Sequence, residues 1–236
     1  MTRRRWIADE VSGNHAALIG DHARHLAQVL RARIGQEFDI SAGAEVRRGK
    51  VVSVHPERVE FELREVVNQS DETAITVAIS IFKFDRMEWA IEKCTELGVA
   101  RIIPVVAGHT EPHLARATVK RVERWRRIAQ QAAEQSRRVS PPEISGPIKL
   151  VELSAVAGPN RIVLDENERE CSLRDALCQD TTGATLAFGP EGGWKPEEIA
   201  ILRKAGWTSA SLGETILRAE TAAVAGVAIT FAIIRP

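Results

Sequence analysis

Residues 184–193 have the sequence ATLAFGPEGG, an apolar run that ends in a glycine-rich loop. The run predicts a buried strand, and glycine allows the loop backbone to approach a ligand closely. Residues 212–222, LGETILRAETA, form a second predicted loop that leads directly into a helix. Two glycine-bearing loops at strand ends are typical of the ligand site of an open α/β sheet. A plain strand–turn–helix connection is the alternative interpretation of the first loop.

Neither loop has the sequence of a familiar nucleotide-binding loop. No GKS or GKT follows the glycines of residues 189–193, and no GxGxxG follows the first predicted strand of the α/β region. The chain also has no GxSxG elbow and no HExxH pattern, so neither nucleophilic catalysis nor a metal site is supported. We expect no metal.

A charged pair, Arg218 and Glu220, stands among small and apolar residues just before the last predicted helix. Burial of ions is costly unless they have partners. The pair is therefore either a structural ion pair at the start of the helix or part of a catalytic site.

The bulk composition is that of an ordinary globular protein. With 236 residues, 44% hydrophobic and 27% charged, the chain suits two small domains or one large one. We find no signal peptide and no apolar run that could span a bilayer, and the three cysteines lack CxxC spacing. These features favour a reducing, cytoplasmic location without a disulfide framework, zinc or a membrane.

The charge is balanced overall but uneven along the chain. The formal net charge is zero, yet residues 116–138 contain eight Arg or Lys side chains against Glu123 and Glu134. Such a run is usually a solvated helix face. It can also bind a polyanion, because contacts with phosphate act over short distances.

The pattern of elements changes near residue 70. Before it, Asp21 is the predicted cap of a short helix that runs through Leu30, and a polar linker covers residues 68–73. Alternating runs predict a small β barrel with strands at 37–40, 50–54 and 58–63.

After residue 70, predicted strands alternate with predicted helices. The strands are at 75–81, 102–106, 161–164, 186–188 and 209–212, and the helices are at 85–97, 118–135, 173–177, 196–205 and 221–234. This alternation predicts a mostly parallel sheet that is covered on both faces. In the long helix, Val119, Val122, Trp125, Ile128, Ala129 and Ala132 are predicted to point inward.

With these motifs, the chain resembles the RsmE family of 16S ribosomal RNA uridine-N3 methyltransferases, within the SPOUT superfamily. The match extends over nearly the whole chain, and the two loops at 189–193 and 212–222 are its most specific part. One departure is the segment Gly108–Pro112, which stands where the family usually has a basic Arg-Ser element. The other matching blocks are residues 25–35, 83–99, 125–138 and 142–144.

The resemblance implies two domains. Residues 1–68 would be a PUA-like β barrel that binds RNA. Residues 73–236 would be an α/β SPOUT methyltransferase domain with a parallel sheet and a C-terminal trefoil knot. It also implies a homodimer that uses S-adenosyl-L-methionine to methylate N3 of a uridine in the decoding region of 16S rRNA, within the small ribosomal subunit.

The resemblance and the chemistry together assign residues to roles. Arg218 would stabilise the negative charge of the deprotonated uridine, and Glu220 would either orient Arg218 or accept the proton. RNA would contact Arg3, Arg4, Arg5, Arg31, Lys83 and Arg86. The cofactor would be bound by Leu164, Phe188, Gly189, Pro190, Glu191, Gly192, Gly193, Leu212, Gly213, Ile216, Leu217 and Thr221.

Three alternative functions stay open from the sequence. One is the same chemistry on another structured-RNA uridine, and another is a non-catalytic RNA-binding scaffold of the same fold. The third is a nucleotide-dependent enzyme that binds phosphate at residues 189–193. The absence of Lys and Ser or Thr directly after that loop argues against the third.

Overall fold

The computed structural model describes residues 5–43, 45–69, 74–177 and 183–234. The chain forms two compact units. The first comprises residues 1–71 together with 133–140, and the second comprises residues 72–132 and 141–236. No helix of the described ranges is long and apolar enough to cross a membrane.

The first unit contains a six-stranded sheet. The sheet order is β1-β4-β5-β6-β3-β2, and every pairing is antiparallel except the parallel pair of β1 and β4. Register shifts along β5 and β6 interrupt their ladder, which increases local bending and twist. The three predicted strands are confirmed, although each is longer than expected, and β1 to β3 were not predicted. The strands are β1 (Arg5–Ile7), β2 (Glu10–Ser12), β3 (His15–Ile19), β4 (Glu37–Ala42), β5 (Glu45–His55) and β6 (Arg58–Gln69).

A short helix covers this sheet. α1 (Gly20–Arg24) continues as a π-helical turn over His25–Val29. The predicted cap at Asp21 is wrong, because the helix starts one residue earlier and the carboxylate of Asp21 pairs with Arg24 instead. The helix contributes Leu26 to a core that the strands complete with Trp6, Leu18, Phe38, Ile40, Val51, Val59 and Phe61.

The second unit is built on a parallel sheet, as predicted. Its strand order is β10-β8-β7-β12-β11-β13, with β9 beside β8, and every pairing is parallel. The strands are β7 (Ala74–Ser80), β8 (Arg101–Val106), β9 (Glu143–Ile144), β10 (Ile148–Lys149), β11 (Arg161–Leu164), β12 (Gly183–Phe188) and β13 (Thr208–Ala210). The helices are α2 (Phe84–Glu96), α3 (Pro112–Gln135), α4 (Leu150–Ser154), α5 (Leu173–Ala176), α6 (Pro196–Lys204) and α7 (Ala219–Ile234).

Helices cover both faces of this sheet. Ile75, Val77 and Ile79 of β7 face one core, which α2, α3, α5 and α7 close. Ala78, which points to the opposite face, belongs to a second core closed by α4 and α6. Because successive residues of a strand point to opposite faces, a strand buried on both sides is a nearly continuous apolar run.

The long helix α3 differs from its prediction in two ways. It begins at Pro112, six residues before the predicted start, since proline is well accommodated in the first helical turn. Val119 was predicted to point inward but is 67% exposed. Thr118 is fully buried instead, because its hydroxyl donates to the carbonyl of Leu114 at 2.8 Å and so loses no hydrogen bond.

Candidate active site

A cavity of about 530 Å³ lies in the second unit, beyond the carboxyl ends of β11 and β12. This is the position at which open α/β sheets bind ligands, and the volume suits a small organic molecule. Three segments line the cavity: residues 164–166, 188–193 and 211–219. Arg86 and Ala222 complete the wall. Thus the two loops singled out in the sequence lie together and enclose one pocket.

The glycine loop can be formed only by glycine at its last position. Gly193 has φ +69°, and its amide donates to the carbonyl of Pro190 at 2.8 Å, which closes a tight turn. A Cβ atom on Gly193 would lie 1.9 Å from the Glu166 carboxylate, and one on Gly189 would lie 3.2 Å from the ring of Trp194. Backbone therefore forms this wall of the cavity.

Neighbouring residues hold the glycine loop in place. The buried indole of Trp194 donates from Nε1 to the carbonyl of Leu164 at 3.1 Å, which ties the loop to the end of β11. Nδ1 of His109 lies 3.1 Å from the carbonyl oxygen of Gly193. The amide of Gly108 donates to the Glu198 carboxylate at 2.7 Å. The segment that departs from the family pattern, Gly108–Pro112, is therefore bonded to the glycine loop and to the start of α6.

Arg218 lines the cavity with an exposed side chain. Its guanidinium makes no hydrogen bond or ion pair with any other residue that the structure describes. A cation that lies at the cavity wall without an ion-pair partner among the described residues can act on a ligand without first breaking an ion pair. The arrangement suits stabilisation of negative charge that develops on a bound group.

Glu220 is placed differently from Arg218. The first turn of α7 buries it to 8% exposure, and its Oε1 lies 3.8 Å from Nε of Arg86. Its Oε2 is buried without a hydrogen-bond partner in the described chain. Arg86 in turn donates from Nη1 to the carboxylate of Glu191 at 2.8 Å. Glu220 is thus paired with Arg86, and it forms no ion pair with Arg218 among the described residues.

The structure brings most of the proposed cofactor residues together. Eleven of the twelve line the cavity, and only Thr221, on the outward side of the first turn of α7, does not. The eleven are Leu164, Phe188, Gly189, Pro190, Glu191, Gly192, Gly193, Leu212, Gly213, Ile216 and Leu217. Ile216 is 80% exposed, which leaves a large apolar side chain at the edge of an open cavity.

The proposed RNA-contacting residues are not gathered at one place. Arg86 is part of the cavity wall, and Lys83 is exposed directly before α2. Arg31 is exposed in the first unit. The guanidinium of Arg5 donates to the carbonyl oxygen of Arg137, and burial lowers the pKa of Arg5. Arg3 and Arg4 lie outside the described residues.

Sequence reasoning missed the acidic side of the cavity. Asp165 and Glu166 directly follow β11 and line the pocket together with Ser211. The carboxylate of Asp165 is buried and accepts from the amide of Asn167 at 2.9 Å and from the hydroxyl of Ser209 at 3.3 Å. The signal was available, because polar residues directly after a buried parallel strand lie at the ligand-binding edge. In the described ranges, no group of three or more His, Cys, Asp or Glu side chains could hold a metal ion.

The second unit thus combines a parallel sheet, a pocket wall of glycine backbone and a cation, Arg218, that has no ion-pair partner among the described residues. Comparison with known proteins identifies the family. The model of the RNA methyltransferase domain family matches residues 68–230. The chain therefore belongs to the RNA methyltransferase family.

Within that family, its relatives are ribosomal RNA small subunit methyltransferase E proteins. The protein of that name from Synechocystis sp. is 34% identical over 212 residues, covering 86% of this chain and 68% of the relative. The one from Aquifex aeolicus is 30% identical over 226 residues, covering 95% and 97%. The crystal structure of the Neisseria gonorrhoeae protein, bound to S-adenosyl methionine, superimposes with a TM-score of 0.85 at 28% identity, covering 97% of this chain and 96% of that one.

Proposed function

We propose that this protein transfers a methyl group from S-adenosyl-L-methionine to N3 of a uridine in the decoding region of 16S rRNA. The observation that carries the proposal is the cavity in which both loops meet beside the guanidinium of Arg218, which has no ion-pair partner in the described part of the chain. The related Neisseria gonorrhoeae protein, whose structure contains S-adenosyl methionine, supports the choice of cofactor.

The residues of the cavity fit such a cofactor. The backbone of residues 188–193 offers amides and carbonyls at close range, because glycine keeps side chains out of the wall. Apolar groups of Leu164, Leu212 and Leu217 add surface for a flat ring. When bound, S-adenosyl-L-methionine supplies a methyl group already activated by its sulfonium. The protein's task is then mainly to position the reacting groups.

Arg218 supplies the electrostatic part of the mechanism. Uridine N3 must lose its proton, to the Glu220 carboxylate or to solvent, before it can attack, and the resulting negative charge spreads onto the two flanking carbonyl oxygens. A guanidinium held beside those oxygens stabilises the charge more in the transition state than in the neutral substrate. Glu220 acts through Arg86: their pairing, with the hydrogen bond from Arg86 to Glu191, fixes the glycine loop against α2.

The two units take the roles that the resemblance assigns. In the proposed arrangement, residues 1–68 form a PUA-like domain that binds RNA through Arg3, Arg4, Arg5 and Arg31. Residues 73–236 form a SPOUT domain with a trefoil knot, in which Lys83 and Arg86 assist. The substrate is 16S rRNA within the small ribosomal subunit, in the cytoplasm.

A homodimer completes the proposal. Support comes from α7, which contains a single charged residue, Glu220, and yet exposes Ala228, Ile229 and Ala232. An apolar face of this kind is costly in water and suits burial against a second copy. Light scattering after size-exclusion chromatography tests this part of the proposal, and a monomer at micromolar concentration would contradict it.

Replacement of Arg218 by Ala tests the catalytic role. The exposed side chain forms no hydrogen bond or ion pair within the ranges that the structure describes. We therefore expect the fold and the affinity for S-adenosyl-L-methionine to be kept while single-turnover methylation slows by about 100- to 1,000-fold. Arg174→Ala, at an exposed arginine of α5, is the matched control and should keep the wild-type rate. Unchanged methylation by Arg218→Ala would rule the role out.

Mass mapping of rRNA nucleosides identifies the target. A strain that lacks the protein should lose one 3-methyluridine in 16S rRNA and regain it with the wild-type chain. Loss of a methyl group from a different uridine would keep the chemistry and change the substrate. Cofactor binding without any transfer would favour the non-catalytic scaffold.

A further inference from the structure

The outward face of α3 carries three cations in one line: Arg116, Lys120 and Arg127, here called the α3 stripe. Their spacing of four and seven residues places them on the same side of the helix. All three are exposed. From the first to the last, the stripe is about 17 Å long, at roughly 1.5 Å per residue.

The other arginines of the helix differ from the stripe in having partners. Arg124 donates to the Glu88 carboxylate of α2 at 2.7 and 2.9 Å, and Arg121 lies 3.6 Å from the same carboxylate. Arg126 pairs with Glu123 and donates to the carbonyl of Ile144. No ion pair or hydrogen bond joins a side chain of the α3 stripe to any other residue in the described ranges.

Solubility alone does not explain why Arg121, Arg124 and Arg126 have partners while the cations of the α3 stripe have none among the described residues. The chain has 32 basic and 32 acidic residues, so on average each basic side chain could find an acidic partner. Alternating signs of charge along a helix face indicate a solvent-exposed face with internal salt bridges, and the α3 stripe does not show that alternation. On this face, the one interspersed carboxylate, that of Glu123, is engaged by Arg126. The result, on a protein of zero net charge, is a line of cations that have no ion-pair partner among the residues with described positions.

Aromatic packing joins α3, which carries the stripe, to the end of α2 that supplies the cavity residue Arg86. Phe84 at the start of α2 packs edge-on against the buried Trp125 of α3, with ring centroids 6.0 Å apart, and the guanidinium of Arg121 lies 4.8 Å from the centroid of the Phe84 ring. The same end of α2 carries the exposed Lys83 and the cavity residue Arg86. Basic side chains therefore occur on α3, at the start of α2 and at the pocket, where Lys83 is exposed and Arg86 pairs with Glu191 and Glu220.

We propose that the α3 stripe binds the phosphate backbone of the RNA strand whose uridine enters the cavity. The inference rests on the proposed function and adds a second RNA-contacting surface, in the second unit. Contacts with phosphate fix register and orientation without reading sequence, which is what cations aligned along one face of a helix can provide. The stripe would hold the strand on one side of the target nucleotide while the pocket receives the base.

The test uses the full chain with Lys120→Gln and Arg127→Gln combined. Each lost phosphate contact should lower the slope of log affinity against log salt by about 0.7 to 0.9, so we expect a decrease of about 1.5 for binding to a 16S rRNA fragment. The KM for that RNA should rise by about tenfold or more. The kcat at saturating RNA and the affinity for S-adenosyl-L-methionine should stay unchanged, since neither residue lines the cavity.

The control removes the same charge elsewhere. Lys149→Gln combined with Lys204→Gln alters α6 and the residue before α4, which cover the opposite face of the sheet from α3. An unchanged salt slope in the stripe variant, or an equal decrease in the control, would overturn the proposal. The proposal would also be overturned if the stripe variant bound RNA as the wild type does but no longer bound poly-glutamate. That result would indicate an acidic protein partner.

These outcomes are separable from failure of the proposed function. A wild-type chain that transfers no methyl group to any RNA refutes the enzymatic role. The salt slope of RNA binding still reports on the stripe in that case, because it is measured without turnover.

Discussion

Replacement of Gly226 by Ala should displace the ring of Phe188, which lines the cavity. Gly226 lies in the middle of α7, where the helix crosses the end of β12. A Cβ atom built on it would lie 2.9 Å from both Cε1 and Cζ of Phe188. Phe188 is 1% exposed and lines the cavity. The ring therefore lies between the helix and the ligand site.

The expected magnitude follows from two opposing effects. Alanine favours a helix interior over glycine by about 1 kcal/mol. Carbon atoms at rest lie roughly 3.5 Å or more apart, so the ring or the helix must shift by about 0.6 Å. Overpacking of a well-filled core costs about 1–3 kcal/mol. Overpacking should win, because the atoms in the way belong to a rigid ring. We expect a net loss of about 1 kcal/mol in the free energy of unfolding.

The assay combines urea unfolding with calorimetric titration of S-adenosyl-L-methionine. Gly226→Ala should lower the unfolding midpoint without a change in slope, and it should weaken cofactor binding by about tenfold, since the ring can yield only towards the cavity. Phe188→Leu in the same chain should restore part of the stability, and a double-mutant cycle should show the coupling. A Gly226→Ala protein that is more stable than wild type and binds the cofactor equally well would refute the reasoning.

Three further predictions concern the side chains of His22, Cys94 and Trp194. The pKa of His22 is raised because the side chain hydrogen-bonds Asp9 and lies near Glu134. Protonated His22 therefore stabilises the folded state fully below about pH 6.5, and this contribution is lost as pH rises through the raised pKa. The stability difference between wild type and His22→Gln in urea should therefore be larger at acidic than at alkaline pH, and a difference independent of pH would contradict this. Burial raises the pKa of Cys94 to about 12, so mass spectrometry should find it unmodified by iodoacetamide at pH 8 in the native chain and modified in urea; native alkylation would show that the core opens. Trp194→Phe removes the indole donor of the Leu164 carbonyl and should cost about 1–3 kcal/mol in thermal unfolding, whereas an unchanged Tm would mean that water replaces the bond.

The elements around the cavity could be predicted because their signals are local. The apolar run at residues 184–188 and the glycines after it fix a buried strand and a tight loop within ten residues. The same holds for the end of α2, where Gly98 adopts φ +97°. The parallel sheet could be inferred because strands alternate with helices along the sequence, and because strands buried on both faces are nearly continuous apolar runs.

The pairing of charged groups could not be predicted, because it depends on contacts between distant parts of the chain. Glu220 follows Arg218 closely in sequence, yet its ion-pair partner is Arg86 on another helix. Similarly, Thr118 is buried rather than Val119 because its hydroxyl finds an acceptor within its own helix. In the first unit, β1 to β3 have only three to five residues each, which is too short for a periodic pattern to stand out.

The bonded segment Gly108–Pro112 limits how the protein can be engineered. A surface connection between a strand and a helix is usually the first choice for an inserted tag or a circular permutation. Here His109 and Gly108 share hydrogen bonds with Gly193 and Glu198, so a changed length at this connection would release two supports of the ligand site together. Homologous chains that differ in length at this point must hold their glycine loop by other means, and grafting the connection between them would require moving both partners with it.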